Sequence, residues 1–156
     1  MILLKEVLLA DKDKLWNIFQ KYFYEMSAYY DMDMDECGNY PYPYFEHYFV
    51  ESERTALFLY DDETLIGFAM LNQYSCLGNI IDHAIAEFTI FPPYRKKHLG
   101  LEAVRKIFAQ YPGRWEIKYS KENQAAESFW TKAVQPYHPM VAPWESTEIV
   151  LSFVVE

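Results

Sequence analysis

The sequence predicts an α/β (α+β type) fold: a mixed sheet with helices on both faces, in the order β-α-α-β-β-β-α-β-α-β. Three observations predict it. Through the middle of the chain, short apolar runs are separated by turn residues, as in hairpins. Later, strand-like runs alternate with amphipathic helical patterns, which sets helices against a sheet. Between these regions the apolar run Ala84–Phe91 stops at Pro92-Pro93, gives way to the basic turn Arg95-Lys96-Lys97, and continues as a helical pattern from Gly100.

Each element has its own local justification. Ile2–Leu9 is short and β-prone. Asp11 and Asp13 supply N-cap chemistry for a first helix, in which Leu15, Ile18, Phe19, Tyr22, Met26 and Tyr29 recur at helical spacing. Asp31–Pro43 is a polar loop with Gly and Pro, and a short second helix is expected over about Tyr44–Glu51. Thr55–Tyr60 and Thr64–Tyr74 form a hairpin around Asp61-Asp62-Glu63. In the helix after the basic turn, Leu101, Val104, Phe108 and Tyr111 share a face, and Pro112-Gly113 ends it. Arg114–Tyr119 is a strand, Asn123–Val134 a helix, Gln135–Trp144 a loop with three prolines, and Glu148–Val155 a final strand.

Composition narrows the class. A chain of 156 residues suits one domain, 1–156, with a real core, and 51% hydrophobic with 24% charged residues argues against disorder. Aromatics reach 19% and crowd the first 60 residues, which means core packing for most of them and an aromatic-walled pocket for some. No apolar run is long enough for a membrane helix, and the N-terminal residues lack a signal-peptide pattern. Cys37 and Cys76 are distant in sequence and read as reduced thiols of a cytoplasmic protein. A net charge of −9 disfavours nucleic acid and makes the local cations Arg95, Lys96 and Lys97 conspicuous. A strand that leads through cations into a helix N-terminus suits a phosphate or pyrophosphate.

These residues resemble the GNAT (Gcn5-related N-acetyltransferase) family. The family's loop pattern Gln/Arg-x-x-Gly-x-Gly/Ala corresponds to Arg95-Lys96-Lys97-His98-Leu99-Gly100. A second signature, Asn-x-x-Ala-x-x-Phe, appears as Asn123-Gln124-Ala125-Ala126-Glu127-Ser128-Phe129. The resemblance implies a mixed, mostly antiparallel central sheet and acetyl-CoA as cofactor. By analogy, backbone groups of Phe88, Thr89 and Ile90 pair with the pantetheine arm like an added strand. The N–H groups across Lys96, Lys97, His98, Leu99, Gly100 and Leu101 hold the pyrophosphate. Asn123 meets the cofactor near its thioester end, beside Phe129. The implied reaction is acetyl transfer to a primary amine, on a small molecule or peptide, in a direct ternary complex.

Two positions depart from the pattern. His98 replaces the first glycine of the loop, where glycine allows close approach to phosphate. Trp130 replaces a tyrosine that many relatives use to protonate the leaving thiolate, and an indole N–H is far too weak an acid for that.

Acetyl transfer needs a base for the amine, donors for the oxyanion and a departing thiolate. Glu87 is the first candidate base, because it interrupts the apolar strand Ala84–Phe91 beside the expected cofactor residues. A carboxylate among Ile85, Ala86, Phe88 and Ile90 is partly desolvated, which raises its pKa. Glu116, on the neighbouring strand, is the second. The acceptor pocket is expected from the first helices and their loop, where Tyr29, Tyr30, Tyr40, Tyr42 and Tyr44 flank an acidic run suited to a cationic amine.

No metal site is expected. Asp31-x-Asp33-x-Asp35 starts like a calcium loop, but Glu36 stands at the glycine place and Tyr42 at the final glutamate. His47, His83 and His138 have no partners at metal spacing. Two other readings remain open: a non-catalytic acyl-CoA-binding sensor or interaction module of the same fold, and a phosphate-binding domain of a different α+β fold. The loop Pro136–Trp144 is a candidate homodimer interface.

Overall fold

A computed structural model describes residues 1–156. Seven strands form one sheet: β1 (Ile2–Glu6), β2 (Thr55–Asp61), β3 (Thr64–Asn72), β4 (His83–Ile90), β5 (Gly113–Ser120), β6 (Met140–Trp144) and β7 (Glu148–Val155). Their spatial order is β1-β2-β3-β4-β5-β7-β6. Every neighbouring pair is antiparallel except β4 and β5, which run parallel. Three α-helices cover the sheet: α1 (Lys12–Met26), α2 (Leu99–Gln110) and α3 (Gln124–Val134).

The two faces of the sheet carry separate cores. On one, Leu57, Leu59, Ala69, Leu71 and Ile117 pack against Val104, Ile107 and Phe108 of α2 and Trp130 and Val134 of α3. On the other, the intervening residues Ala56, Phe58, Phe68 and Met70 pack against Leu15, Phe19 and Phe23 of α1. The alternation along β2 and β3 is the period of a strand buried on both faces. A helix stripe at three- and four-residue spacing covers each face.

A bulge in β4 decides which way its charged residue points. Ile85 lies opposite Leu71 and Glu87 lies opposite Met70, so Ala86 has no partner. One extra residue reverses the side-chain alternation beyond it. Ile85 therefore faces α2 and α3, as do Phe88 and Ile90, while Glu87 faces α1. Without the bulge, Glu87 would share the face of Ile85 and enter the apolar core.

Three elements differ from the sequence reading. The helix expected over Tyr44–Glu51 is only a 3-10 turn at Glu46–Phe49. The first strand ends at Glu6, and Leu9–Asp11 is a 3-10 turn that leads into α1. The segment read as a loop, Gln135–Trp144, contains β6 as well as a 3-10 turn at Gln135–Tyr137. β6 is an outer strand bonded only to β7, a position in which Pro143 is tolerated because no further strand needs its missing N–H.

Candidate functional site

β4 and β5 are joined only from His83 opposite Trp115 to Ile85 opposite Ile117. At the bulge they part. Ala86–Ile90 then has β3 on one side and no strand on the other, while β5 continues along β7 to Ser120. The opening leads into a cavity of about 580 Å³, walled by α1 and the loop after it, by β4, β5 and β7, and by the start of α3. A strand edge inside a protein offers unpaired backbone donors and acceptors to an extended ligand.

Glu87 sits in this cavity. Tyr22 of α1 donates its hydroxyl to Glu87 Oε2 at 2.8 Å. Glu87 is half-buried and lines the cavity. Burial pushes its carboxyl up from 4.5 to about 7, with the Tyr22 hydrogen bond and the charge of Lys118 pulling the other way and Glu148 adding to the rise. The same burial, with Glu87 alongside, drives the Tyr22 hydroxyl well above its ordinary value, so Tyr22 remains a donor.

Glu116 lines the same cavity on β5, but its carboxylate is engaged. It accepts from the Ser75 hydroxyl and from the backbone N–H of Cys76 at 3.1 Å, and so ties the loop after β3 to β5. Glu148 of β7 is similarly committed: the Tyr30 hydroxyl donates to it at 3.2 Å, and Lys118 approaches at 3.7 Å while lying 4.3 Å over the Trp144 ring. The sequence reading overlooked Glu148, Lys118 and Tyr22 as site residues. Tyr22 was legible only as one apolar position on a helix face, and Glu148 as the opening of a strand.

The turn before α2 holds two left-handed residues, Lys96 at φ 61° and His98 at φ 62°. From Lys96 to Leu101, no backbone N–H finds a protein acceptor. Such a run of free N–H groups, at a helix start and in a turn with left-handed residues, is a feature that suits an anion. The side chains of Lys96, Lys97 and His98 are exposed. The Arg95 side chain is engaged elsewhere. Its guanidinium grips Glu25 of α1 through two bonds of 2.8 Å, and its Nε donates to the Ile90 carbonyl at 2.7 Å.

Gly100 explains the last glycine of the loop sequence. A β-carbon there would stand 2.9 Å from the Phe129 ring and 3.3 Å from Ile90 Cγ1. The start of α2 is thus set against α3 and β4 at a distance only glycine permits. Phe129 is itself stacked on Phe88 at 5.5 Å, and Trp130 meets Phe88 edge-on at 5.3 Å. Asn123 caps α3, its Oδ1 accepting from the Ala126 N–H at 3.0 Å, and it also lines the cavity. Thr89 is buried beside Glu87 on β4, its hydroxyl 3.3 Å from Arg95.

Comparisons with known proteins agree with this layout. No curated protein matches the chain. Among solved structures, an acetyltransferase from Thermus thermophilus superposes with a TM-score of 0.71 at 15% identity, over 99% of this chain and 97% of that one. The PaiA N-acetyltransferase from Thermoplasma acidophilum, solved with coenzyme A, gives 0.62 at 16% identity, over 99% of both chains. Arabidopsis thaliana NAA60, solved with acetyl-CoA, gives 0.62 at 9% identity, over 99% of this chain and 98% of that one. At these identities the likeness is one of fold. The sequence itself matches the model of the acetyltransferase (GNAT) family over residues 12–134. Because that match runs from the first turn of α1 to the end of α3 and takes in both strands that part, the chain belongs to the GNAT acetyltransferase family.

Proposed function

We propose that this protein transfers the acetyl group of acetyl-CoA directly to a primary amine held in the same cavity. One observation carries the reading: a carboxylate with its pKa raised to about 7 lies where the sheet opens, next to the free edge of β4. A general base works best when its pKa is near the working pH, because it is then both ionised and basic enough to take a proton.

The residues present fit the cofactor. The run of free N–H groups from Lys96 to Leu101 suits a pyrophosphate, and Lys96 and Lys97 add positive charge around it. The edge of β4 at Phe88, Thr89 and Ile90 has no strand beside it and suits an amide-bearing arm that pairs as a further strand, although the Ile90 carbonyl already accepts from Arg95. The amide nitrogen of Asn123 donates to no protein acceptor and is available to that arm, while Phe129 supports Phe88 from behind. Bound acetyl-CoA supplies an acetyl group activated as a thioester. The protein's own contribution is to orient the amine and remove its proton at the Glu87 carboxylate, while Tyr22 fixes that carboxylate's direction. Holding both partners in one cavity removes much of the entropic barrier to their reaction. Glu116 serves as an anchor for the Ser75–Cys76 loop in this reading.

The decisive experiment is calorimetric titration with acetyl-CoA, coenzyme A and ADP, followed by an amine screen on wild type and Glu87→Gln. Binding that needs the pantetheine arm, with turnover lost in the variant, supports the reading. Full activity in Glu87→Gln removes Glu87 as the base.

Trp130 favours a second reading, an acyl-CoA-binding sensor, because the indole packed on Phe88 and Phe129 offers no acid for a leaving thiolate. Binding without transfer to any amine would select it. We place the protein in a reducing compartment, the cytoplasm. Both cysteines are free and exposed, and no helix is long and apolar enough to cross a membrane. The exposed Met140 and Val141 on the outer strand β6 suit a homodimer contact, to be checked by sedimentation.

A further inference from the structure

From the balance of charges in the cavity we infer that the acceptor is a primary monoamine with an uncharged aromatic body, such as an arylalkylamine. This rests on the acetyltransferase reading above and narrows it.

Each charged group of the wall except two already has a partner. Glu116 is held by Ser75 and the Cys76 N–H, and Glu148 by Tyr30 and Lys118. The charge of Lys118 is answered by Glu148 and by the face of Trp144. Glu87 keeps one oxygen without a donor, because Tyr22 occupies only Oε2. Asp31 is the other unpaired group, but it is exposed at the rim, where a charge needs no partner. The cavity therefore offers one enclosed anionic site for one amine. It has no free cation to receive a substrate carboxylate or phosphate.

The remaining wall is suited to an aromatic body. Tyr22, Phe23, Met26, Met32 and Tyr42 approach from α1 and its following loop, on the same side as Glu87. Aromatic rings and thioethers gain from stacking against a flat apolar group. Asn72, Ser120 and Asn123 each spend an acceptor oxygen on a backbone N–H, those of Tyr74, Glu122 and Ala126 respectively. An aminosugar, polar all round, would be desolvated poorly against this mostly apolar wall. A polyamine's second ammonium would find only Asp31, exposed to solvent, where an ion pair contributes little.

The test compares phenethylamine with L-phenylalanine, which adds only a carboxylate, and with spermidine and kanamycin. Thiol release from acetyl-CoA measures transfer, and calorimetry with coenzyme A-loaded protein measures amine binding independently of chemistry. The expected result is that phenethylamine is the best acceptor, and that phenylalanine is worse by about 100-fold or more in kcat/KM because its carboxylate is buried without a countercharge. Comparable or better transfer to phenylalanine, spermidine or kanamycin overturns the inference and leaves the acetyltransferase reading standing. Selective binding of phenethylamine without transfer to any amine keeps the pocket assignment and removes the catalytic reading. Absence of phenethylamine binding overturns the assignment outright.

Discussion

Tyr22 and Glu87 are 65 positions apart in the chain and 2.8 Å apart in space, the phenol of a helix donating to the carboxylate of a bulged strand. Each depends on a separate local fact. The stripe that packs Leu15, Phe19 and Phe23 on the sheet brings Tyr22 with it, and the unpaired Ala86 turns Glu87 to meet it. The hydrogen bond favours the ionised carboxylate and so opposes the effect of burial. Tyr22→Phe removes that opposition. The acid limb of the kcat profile should move to higher pH, with several-fold lower activity near neutrality and a plateau retained at high pH. An unmoved limb would show that Tyr22 does not tune Glu87.

Glu87→Gln separates chemistry from binding. Loss of a positioned base costs about 10²–10⁴-fold in rate. Acetyl-CoA affinity should stay within a factor of two or so, since the proposed phosphate turn at Lys96–Leu101 lies elsewhere and the transferred proton belongs to the amine.

The same variant makes a stability prediction of opposite sign. Glu87 has its pKa raised from 4.5 to about 7 in the folded protein. The folded state therefore binds this proton more tightly than the unfolded state does. Its contribution is fully present below the unfolded value and is lost as pH rises through about 7. At pH 8 wild type carries a penalty of at most about 3 kcal/mol, which glutamine avoids while still accepting from Tyr22. Urea unfolding should show Glu87→Gln to be more stable than wild type at pH 8, with the difference shrinking toward zero near pH 4. Equal stability at both pH values would mean that the carboxylate is not desolvated.

At the loop, Lys96 and His98 hold a conformation that L-residues adopt at a cost of about 1–2 kcal/mol each, partly offset in a glycine variant by the larger freedom of its unfolded chain. His98→Gly should raise stability by up to about 1 kcal/mol and preserve or improve acetyl-CoA binding. Weaker binding in this variant would instead assign the imidazole a direct role at the phosphate.

Gly100→Ala should do the reverse. Its methyl group would press on the Phe129 ring, which Phe88 and Trp130 already confine. Overpacking of this kind costs about 1–3 kcal/mol, and it should also tilt α2 enough to weaken acetyl-CoA binding measurably in calorimetry.

The sequence analysis identified the hairpin, the strand before Pro92-Pro93 and the three long helices because each has its own periodicity and its own stop signal. The outer strand β6 was hidden by Pro136, Pro139 and Pro143, which read as loop residues; only an edge position makes Pro143 acceptable, and edges are set by tertiary pairing. The 3-10 turn at Glu46–Phe49 lacks the length that periodicity needs. At the site, Glu87 stood out because a charge in an apolar run is conspicuous. Arg95 entered the expected phosphate loop as the first residue of the pattern Arg95–Gly100 and through its cationic neighbours. Its actual partner, Glu25, is remote in sequence and carries no local mark. Lys96 gave no sign of its left-handed backbone, since lysine at that position looks like ordinary charge.

The short parallel join between β4 and β5 makes the sheet two leaves on a narrow spine, β1 to β4 on one side and β5 to β7 on the other. An arm that bonds along the free edge at Phe88–Ile90 would act as the missing stitch between them. Amide hydrogens in the opening should therefore exchange quickly in the free protein and slowly with coenzyme A present, a record of occupancy that needs no turnover. The leaves would also melt more nearly as one when the ligand is bound, so this protein should gain cooperativity along with stability from its cofactor.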